Sequence, residues 1–300
     1  MYNQQITHPI LFERHLSLAV KREDLIDPLI SGNKYRKLKY NLKRAKILGY
    51  QTLLTYGGAF SNHIAAVAKV GHDNGLHTIG VIRGEELEQT WANNPTLHQA
   101  HAHGMQFYFV DRETYRQKHH PSFLQRLKKQ YGVFYDIPEG GTNALAVKGC
   151  EEILTSEDAD FDVIATCVGT GGTLAGLINS ATSHQRVEGF SVLKGDFQKE
   201  TLRNFVSSSR EWELVTDYHF GGYAKVSEIL IQFINQFKRQ TGIALDPAYT
   251  GKLLYGIFDR VQKGCYAPNT KILAIHTGGL QGIKGMNTVL KRKKLSLLDE

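Results

Sequence analysis

Cysteine is nearly missing from this chain: three residues in 300, Cys150, Cys167 and Cys265, stand far apart. Neither a disulfide framework nor a CxxC metal pair can be built from them, and a reducing compartment suits them. Long apolar runs are missing as well, since none approaches the ~20 residues needed to cross a bilayer. The opening stretch "MYNQQITHPILFERHLSLAV" holds no secretory core followed by a small-residue cleavage site, so a cytoplasmic location is expected. Internal repeats, low-complexity segments and long linkers are also lacking. Two intimately packed lobes with a cleft between them are therefore expected.

What is present is the composition of a soluble globular protein, 41% hydrophobic and 22% charged. The formal charge of +7 gathers in "KYRKLKYNLKRAK" and in the tail "KRKK". In the first cluster Tyr35, Leu38, Leu42 and Ala45 recur at helical spacing, so its basic residues read as the polar side of an amphipathic helix. No zinc-finger, homeodomain or RNA-recognition pattern accompanies either cluster, and no nucleic-acid partner is expected. The charge reads instead as solubility plus attraction of small anions.

Short β-rich runs recur between helix-like stretches: "TLLTYG", "HTIGVI", "MQFYFV", "DVIATCVG", "VEGFSVL", "ELVTDY" and "KILAIHTGG". This alternation predicts an α/β fold with mostly parallel sheets, each flanked by helices. Many runs end in Gly, Ser or Thr, where the binding loops of such sheets lie.

Three of those ends are rich in glycine. "YGGAFSNHIAAVAKVG" puts Ser61, Asn62 and His63 at the start of a helix, where unpaired backbone amides and the helix dipole welcome a carboxylate or phosphate. Ser61 or Asn62 could equally be a simple helix cap. "CVGTGGTLAGL" offers the amides and hydroxyls of Thr170, Gly171, Gly172 and Thr173, without the Lys-Ser or Lys-Thr pair of a Walker loop. "ILAIHTGGLQG" repeats the theme, with Thr277 at the strand's exit. A fourth stretch, "DPLISGNKYRKLKY", sets Lys34 between a glycine turn and a helix start, either as one more solvated charge or as a lysine held for chemistry. His98, His101 and His103 in "LHQAHAHG" should diverge around a helix that ends before Gly104, so no metal site is expected.

A lysine, a phosphate cradle and a second anion-binding helix end are together what a pyridoxal phosphate enzyme requires. Arg36 and Lys37 would help to keep Lys34 partly neutral. The blocks "SGNKYRKL", "GGAFSNH", "GTGGTLAGL", "DPAYTGK" and "IHTGG" resemble, in this order, those of the 1-aminocyclopropane-1-carboxylate deaminase and D-cysteine desulfhydrase family. These are fold-type II pyridoxal phosphate enzymes related to the tryptophan synthase β subunit.

The resemblance spans about Lys21 to Gly282. It implies that Lys34 bonds the cofactor aldehyde and moves the substrate proton. It further implies that Asn62 meets the ring hydroxyl, that Ser61, Asn62 and His63 clamp the substrate carboxylate, and that Thr170, Gly171, Gly172 and Thr173 hold the phosphate. Tyr249 matches an active-site tyrosine, and Tyr223 in "FGGYAK" is a second candidate. Thr250 and Thr277 stand where ring-opening deaminases typically carry Glu and Leu, and resemble the desulfhydrase branch, with a hydroxyl beside the pyridine nitrogen.

The implied activity is α,β-elimination from a small D-amino acid, D-cysteine first, with 1-aminocyclopropane-1-carboxylate deamination or non-catalytic cofactor binding as alternatives. A homodimer is implied too. The expected division is a large domain of residues 1–36 plus 148–300 and a small domain of residues 37–147.

Overall fold

Each of the seven β-rich runs forms a strand in the computed structural model, which describes residues 1–27, 30 and 32–300. Ser31, the first residue of "SGNKYRKL", falls outside that description. The strands in chain order are β1 (Asn3–Ile6), β2 (Ser17–Lys21), β3 (Thr52–Gly57), β4 (His77–Arg83), β5 (Met105–Val110), β6 (Tyr135–Ile137), β7 (Val163–Val168), β8 (Arg186–Ser191), β9 (Trp212–Val215) and β10 (Lys271–Ile275). They form two sheets, one ordered β1-β2-β10-β7-β8-β9 and the other β5-β4-β3-β6. Every pairing is parallel except that of β1 with β2.

Burial explains why these runs read as they do. All six residues of β7 are buried, because helices cover both faces of the larger sheet. On one face the helix Gly172–Ser180 supplies Leu174, Leu177 and Ile178. On the other, the helices Glu228–Thr241 and Thr250–Gln262 supply Ile231, Leu253 and Ile257. A strand buried on both sides is apolar throughout rather than alternating. Each fully buried Leu or Ile contributes about 2–3 kcal/mol of transfer free energy. Among the described residues no helix is long and apolar enough to cross a membrane.

The sequence reading did not anticipate β1, β2 and β6. They are short, and "NQQI" and "YDI" carry polar residues at sheet edges. β2 is flanked by charge, and its last residue is Lys21, whose amine is buried against the Asp158 carboxylate at 2.6 Å. A buried ion pair of this kind does not show in a hydropathy pattern.

The helix Asn33–Ile47 corrects another expectation. Its inward face is Lys37, Leu38, Asn41 and Ala45, while Tyr35 is 42% exposed. The inward side is partly polar because it packs on the helix Ala144–Glu151, where a side chain at Gly149 would collide with the Arg36 carbonyl. The 36/37 and 147/148 boundaries pass through these two helices. The helix Pro95–Ala102 directs its histidines apart: His101 lies against Trp91 at 4.5 Å, and His103 lies 5.5 Å from His72.

Candidate active site

The glycine turns leaving β3, β7 and β10 meet at the C-terminal ends of their strands, the usual place for ligands in parallel sheets. The Lys34 turn is laid directly on the third of them. Gly32 has φ +55°, a side chain there would collide with the Thr277 carbonyl, and the Asn33 amide donates to that same carbonyl at 3.3 Å. Only glycine tolerates both the left-handed backbone and so close an approach. The Asn33 side chain then donates to Thr173 Oγ1 at 2.8 Å, tying the lysine turn to the "GTGGT" loop as well.

A cleft of about 770 Å³ opens between the sheets, and Lys34, Ser61, Asn62, His63, Thr170, Tyr223 and Tyr249 all line it. A smaller recess of about 40 Å³ adjoins it, walled by Lys34, Lys37, Thr170, Gly171, Thr173 and Tyr249. Gly172 begins the helix Gly172–Ser180, and Gly171 caps it in the left-handed conformation at φ +89°. A side chain at Gly172 would reach 2.9 Å from Thr142 Oγ1 and 3.3 Å from Lys37 Nζ.

Thr250 and Thr277 line neither space. The Thr250 hydroxyl donates to the Asp246 carboxylate and accepts from its amide, both at 2.8 Å. Thr277 Oγ1 lies 3.2 Å from Cys167 Sγ.

Electrostatics single out three groups. Lys34 keeps part of its surface toward the cleft, but its amine is desolvated and its pKa is lowered, against the opposing pull of Cys150, Cys167 and Asp246. Lys37 is pushed down to about 7 by burial and then by the Lys34 charge. Its amine donates to the Gly140 carbonyl and Thr142 Oγ1, both at 3.1 Å, and reaches Thr170 Oγ1 at 3.5 Å.

His63 is buried, and its ring has only the Pro138 backbone as a hydrogen-bonding neighbour. Burial and then the two lysines hold it well below its ordinary pKa, as a neutral imidazole. Arg36 does not share the neighbourly role expected of it. Its guanidinium grips Glu23 through two bonds, at 2.8 and 2.9 Å.

Tyrosines close the cleft from the far side. The rings of Tyr223 and Tyr249 meet edge to face at 5.7 Å, and burial raises the pKa of both hydroxyls, Tyr249 well above the ordinary value. Both therefore stay protonated at neutral pH. Tyr249 is set by Asp246, a buried carboxylate that accepts the amides of Ala248, Tyr249 and Thr250 at 2.8–3.0 Å.

Reading the sequence missed Asp246 as an organiser and Lys37 as a wall of the recess. The second was detectable, because Lys34 and Lys37 are three apart and so share a helix face. A phosphate monoester fits the recess by the chemistry of its donors: backbone amides at a helix start, two threonine hydroxyls and a lysine amine. The buried His63 and the desolvated Lys34 beside it are the polar groups that such a ligand's remaining atoms would meet.

Residues 6–278 match the family described as pyridoxal-phosphate dependent enzyme. A Pyrococcus horikoshii protein bearing the provisional name 1-aminocyclopropane-1-carboxylate deaminase is 34% identical over 88% of this chain and 84% of its own length. The mitochondrial bifunctional D-cysteine desulfhydrase/1-aminocyclopropane-1-carboxylate deaminase of Arabidopsis thaliana is 29% identical over 89% of this chain and 73% of its own. A crystal structure of an ACC deaminase homologue superposes with a TM-score of 0.79 at 31% identity, covering 94% of this chain and 90% of that one. With the lysine, the glycine-lined recess and the two mostly parallel sheets in place, the chain belongs to the pyridoxal-phosphate dependent enzymes.

Proposed function

We propose that this enzyme catalyses α,β-elimination from a small D-amino acid, with D-cysteine giving pyruvate, ammonia and hydrogen sulfide as the leading case. The observation that carries the reading is the meeting of a desolvated Lys34, the Ser61–His63 helix start and two protonated tyrosines in one cleft.

Pyridoxal phosphate, when bound, withdraws electrons from the substrate's α carbon. The Thr170–Thr173 loop and Lys37 would hold its phosphate and Asn62 would meet its ring hydroxyl, while Thr277 would act from behind the cleft wall, where its hydroxyl lies against Cys167. Thr250 acts through the Asp246 carboxylate it bonds.

Ser61 and the amides after it hold the substrate carboxylate. Lys34 Nζ, kept partly neutral by burial, takes the α proton. Thiolate leaves the β carbon with the C–S electron pair, and Tyr249 or Tyr223 gives or orients its proton. Water then converts the released aminoacrylate to pyruvate and ammonia, with no net oxidation. We assign residues 1–36 plus 148–300 to the cofactor lobe and 37–147 to the small lobe of a cytoplasmic homodimer.

The second reading, ring opening of 1-aminocyclopropane-1-carboxylate, is favoured by the names of the relatives. Purified enzyme given D-cysteine, L-cysteine, D-serine and the cyclopropane amino acid should yield pyruvate and sulfide from D-cysteine. Formation of 2-oxobutyrate alone would decide for ring opening. Lys34→Ala should abolish the visible absorbance of the purified protein, and a surviving band would remove Lys34 from its role.

A further inference from the structure

We propose that the cleft also accepts, besides D-cysteine, amino acids with a second negative charge on the β substituent, and that Arg83 is the side chain that takes it. The inference rests on the elimination reading above and names the substrate class.

Arg83 ends β4 and lines the main cleft. Its guanidinium carbon lies 5.5 Å from the centroid of the Tyr115 ring. One of its terminal nitrogens lies 3.4 Å from where a side chain on Gly58 would begin, over the turn that leads into Ser61. Two more cations share this rim, and each has a counter-charge: Lys118 pairs with Glu139 at 3.1 Å and Arg112 with Glu86 at 3.7 Å. Among the described residues no carboxylate lies within ion-pair distance of Arg83. Across the cleft its charge is felt at the Tyr223 hydroxyl.

The other anions of the reaction are already provided for by different loops. The phosphate has the Thr170–Thr173 loop and Lys37, and the α-carboxylate has the Ser61–His63 helix start. An uncharged side chain such as that of cysteine would leave Arg83 with nothing to bind. A planar guanidinium braced on an aromatic face is suited to two-pronged recognition of a carboxylate, phosphate or sulfonate, with little freedom left to lose.

An amino acid bearing such a group on its β carbon would place it there. For an O-linked phosphate or a sulfonate, phosphate or sulfite departs with the electron pair of the C–O or C–S bond while Lys34 takes the α proton. Water finishes the conversion to pyruvate and ammonia, without an oxidant.

The test compares O-phosphoserine with β-chloroalanine, both enantiomers of each, on the cofactor-loaded wild type and on Arg83→Gln. The ratio of kcat/KM for the phosphorylated over the chlorinated substrate should fall by about 10- to 100-fold in the variant, the range for losing a hydrogen-bonded charge, and chiefly through KM. Arg83→Lys should fall between the two. An equal ratio in wild type and Arg83→Gln overturns the assignment. So does a wild type that releases pyruvate from β-chloroalanine but not from O-phosphoserine, and in that case elimination itself stands.

If neither reacts while D-cysteine yields pyruvate, the assignment is overturned; if D-cysteine is inert as well, the elimination reading fails and binding alone decides. Aspartate should then perturb the visible absorbance at lower concentration than alanine in the wild type and lose that advantage in Arg83→Gln. Equal affinities sink the proposal.

Discussion

Lys34 and Lys37 lie one helical turn apart, in the same desolvated pocket and at different tasks. Because Lys37 is held at about 7, its amine is largely neutral at pH 8 until an anion arrives. A phosphate dianion favours the charged form, so binding must recruit a proton there. Affinity for the cofactor should weaken as pH rises through 7 and beyond. Calorimetric titration of pyridoxal phosphate into Lys34→Ala at pH 8, in buffers of different ionisation enthalpy, should show net proton uptake, and the additional change Lys37→Met should remove it. Lys34 was legible in the sequence because a glycine turn preceded it and ordered glycine blocks followed. Lys37 was not, because a basic helix reads as a solvated face until its packing partner is known. Arg83 is silent in the sequence for a similar reason: nothing in "VIRG" signals that its counter-charge is missing.

At the scale of elements, the segment carrying Tyr223 depends on a side chain from another helix. Phe220, Gly221, Gly222 and Ala224 all have positive φ, and non-glycine residues held so cost about 1–3 kcal/mol each. Lys252, buried in the helix Thr250–Gln262, donates to the carbonyls of His219 and Gly222 at 2.8 Å each and so clamps this segment. Lys252→Met should loosen it, lowering kcat/KM by about 10- to 100-fold through misplacement of Tyr223, with faster proteolysis between residues 219 and 225.

Burial pushes the Lys252 amine down to about 8 from an ordinary 10.5. Its folded value is depressed, so the cost of keeping it charged is full below pH 8 and is relieved as pH climbs toward 10.5. The stability of the wild type relative to Lys252→Met should therefore rise across that window in thermal melts. The sequence disclosed β3, β4, β7, β8 and β10, whose β-rich runs follow from burial on both faces, and the edge strands β5 and β9 as well. It concealed β1, β2 and β6, which are short or edged by charge, and it concealed the clamp, whose partners are carbonyls that belong to no pattern.

For the whole molecule, the parallel two-sheet plan was readable from the alternation of runs, and the meeting of glycine turns follows from that plan. Distances across the cleft were not readable, since they depend on how the sheets face one another. Light scattering should give twice the 33.7 kDa chain mass if the proposed homodimer is correct. The contact between Gly32 and the Thr277 carbonyl joins stretches separated by most of the polypeptide, and β10 slots between β2 and β7. A chain still emerging from the ribosome thus has Lys34 long before it has the wall that shelters it. Premature termination anywhere upstream of the last strand should leave a product unable to retain vitamin B6, so unfinished copies are chemically silent rather than half active.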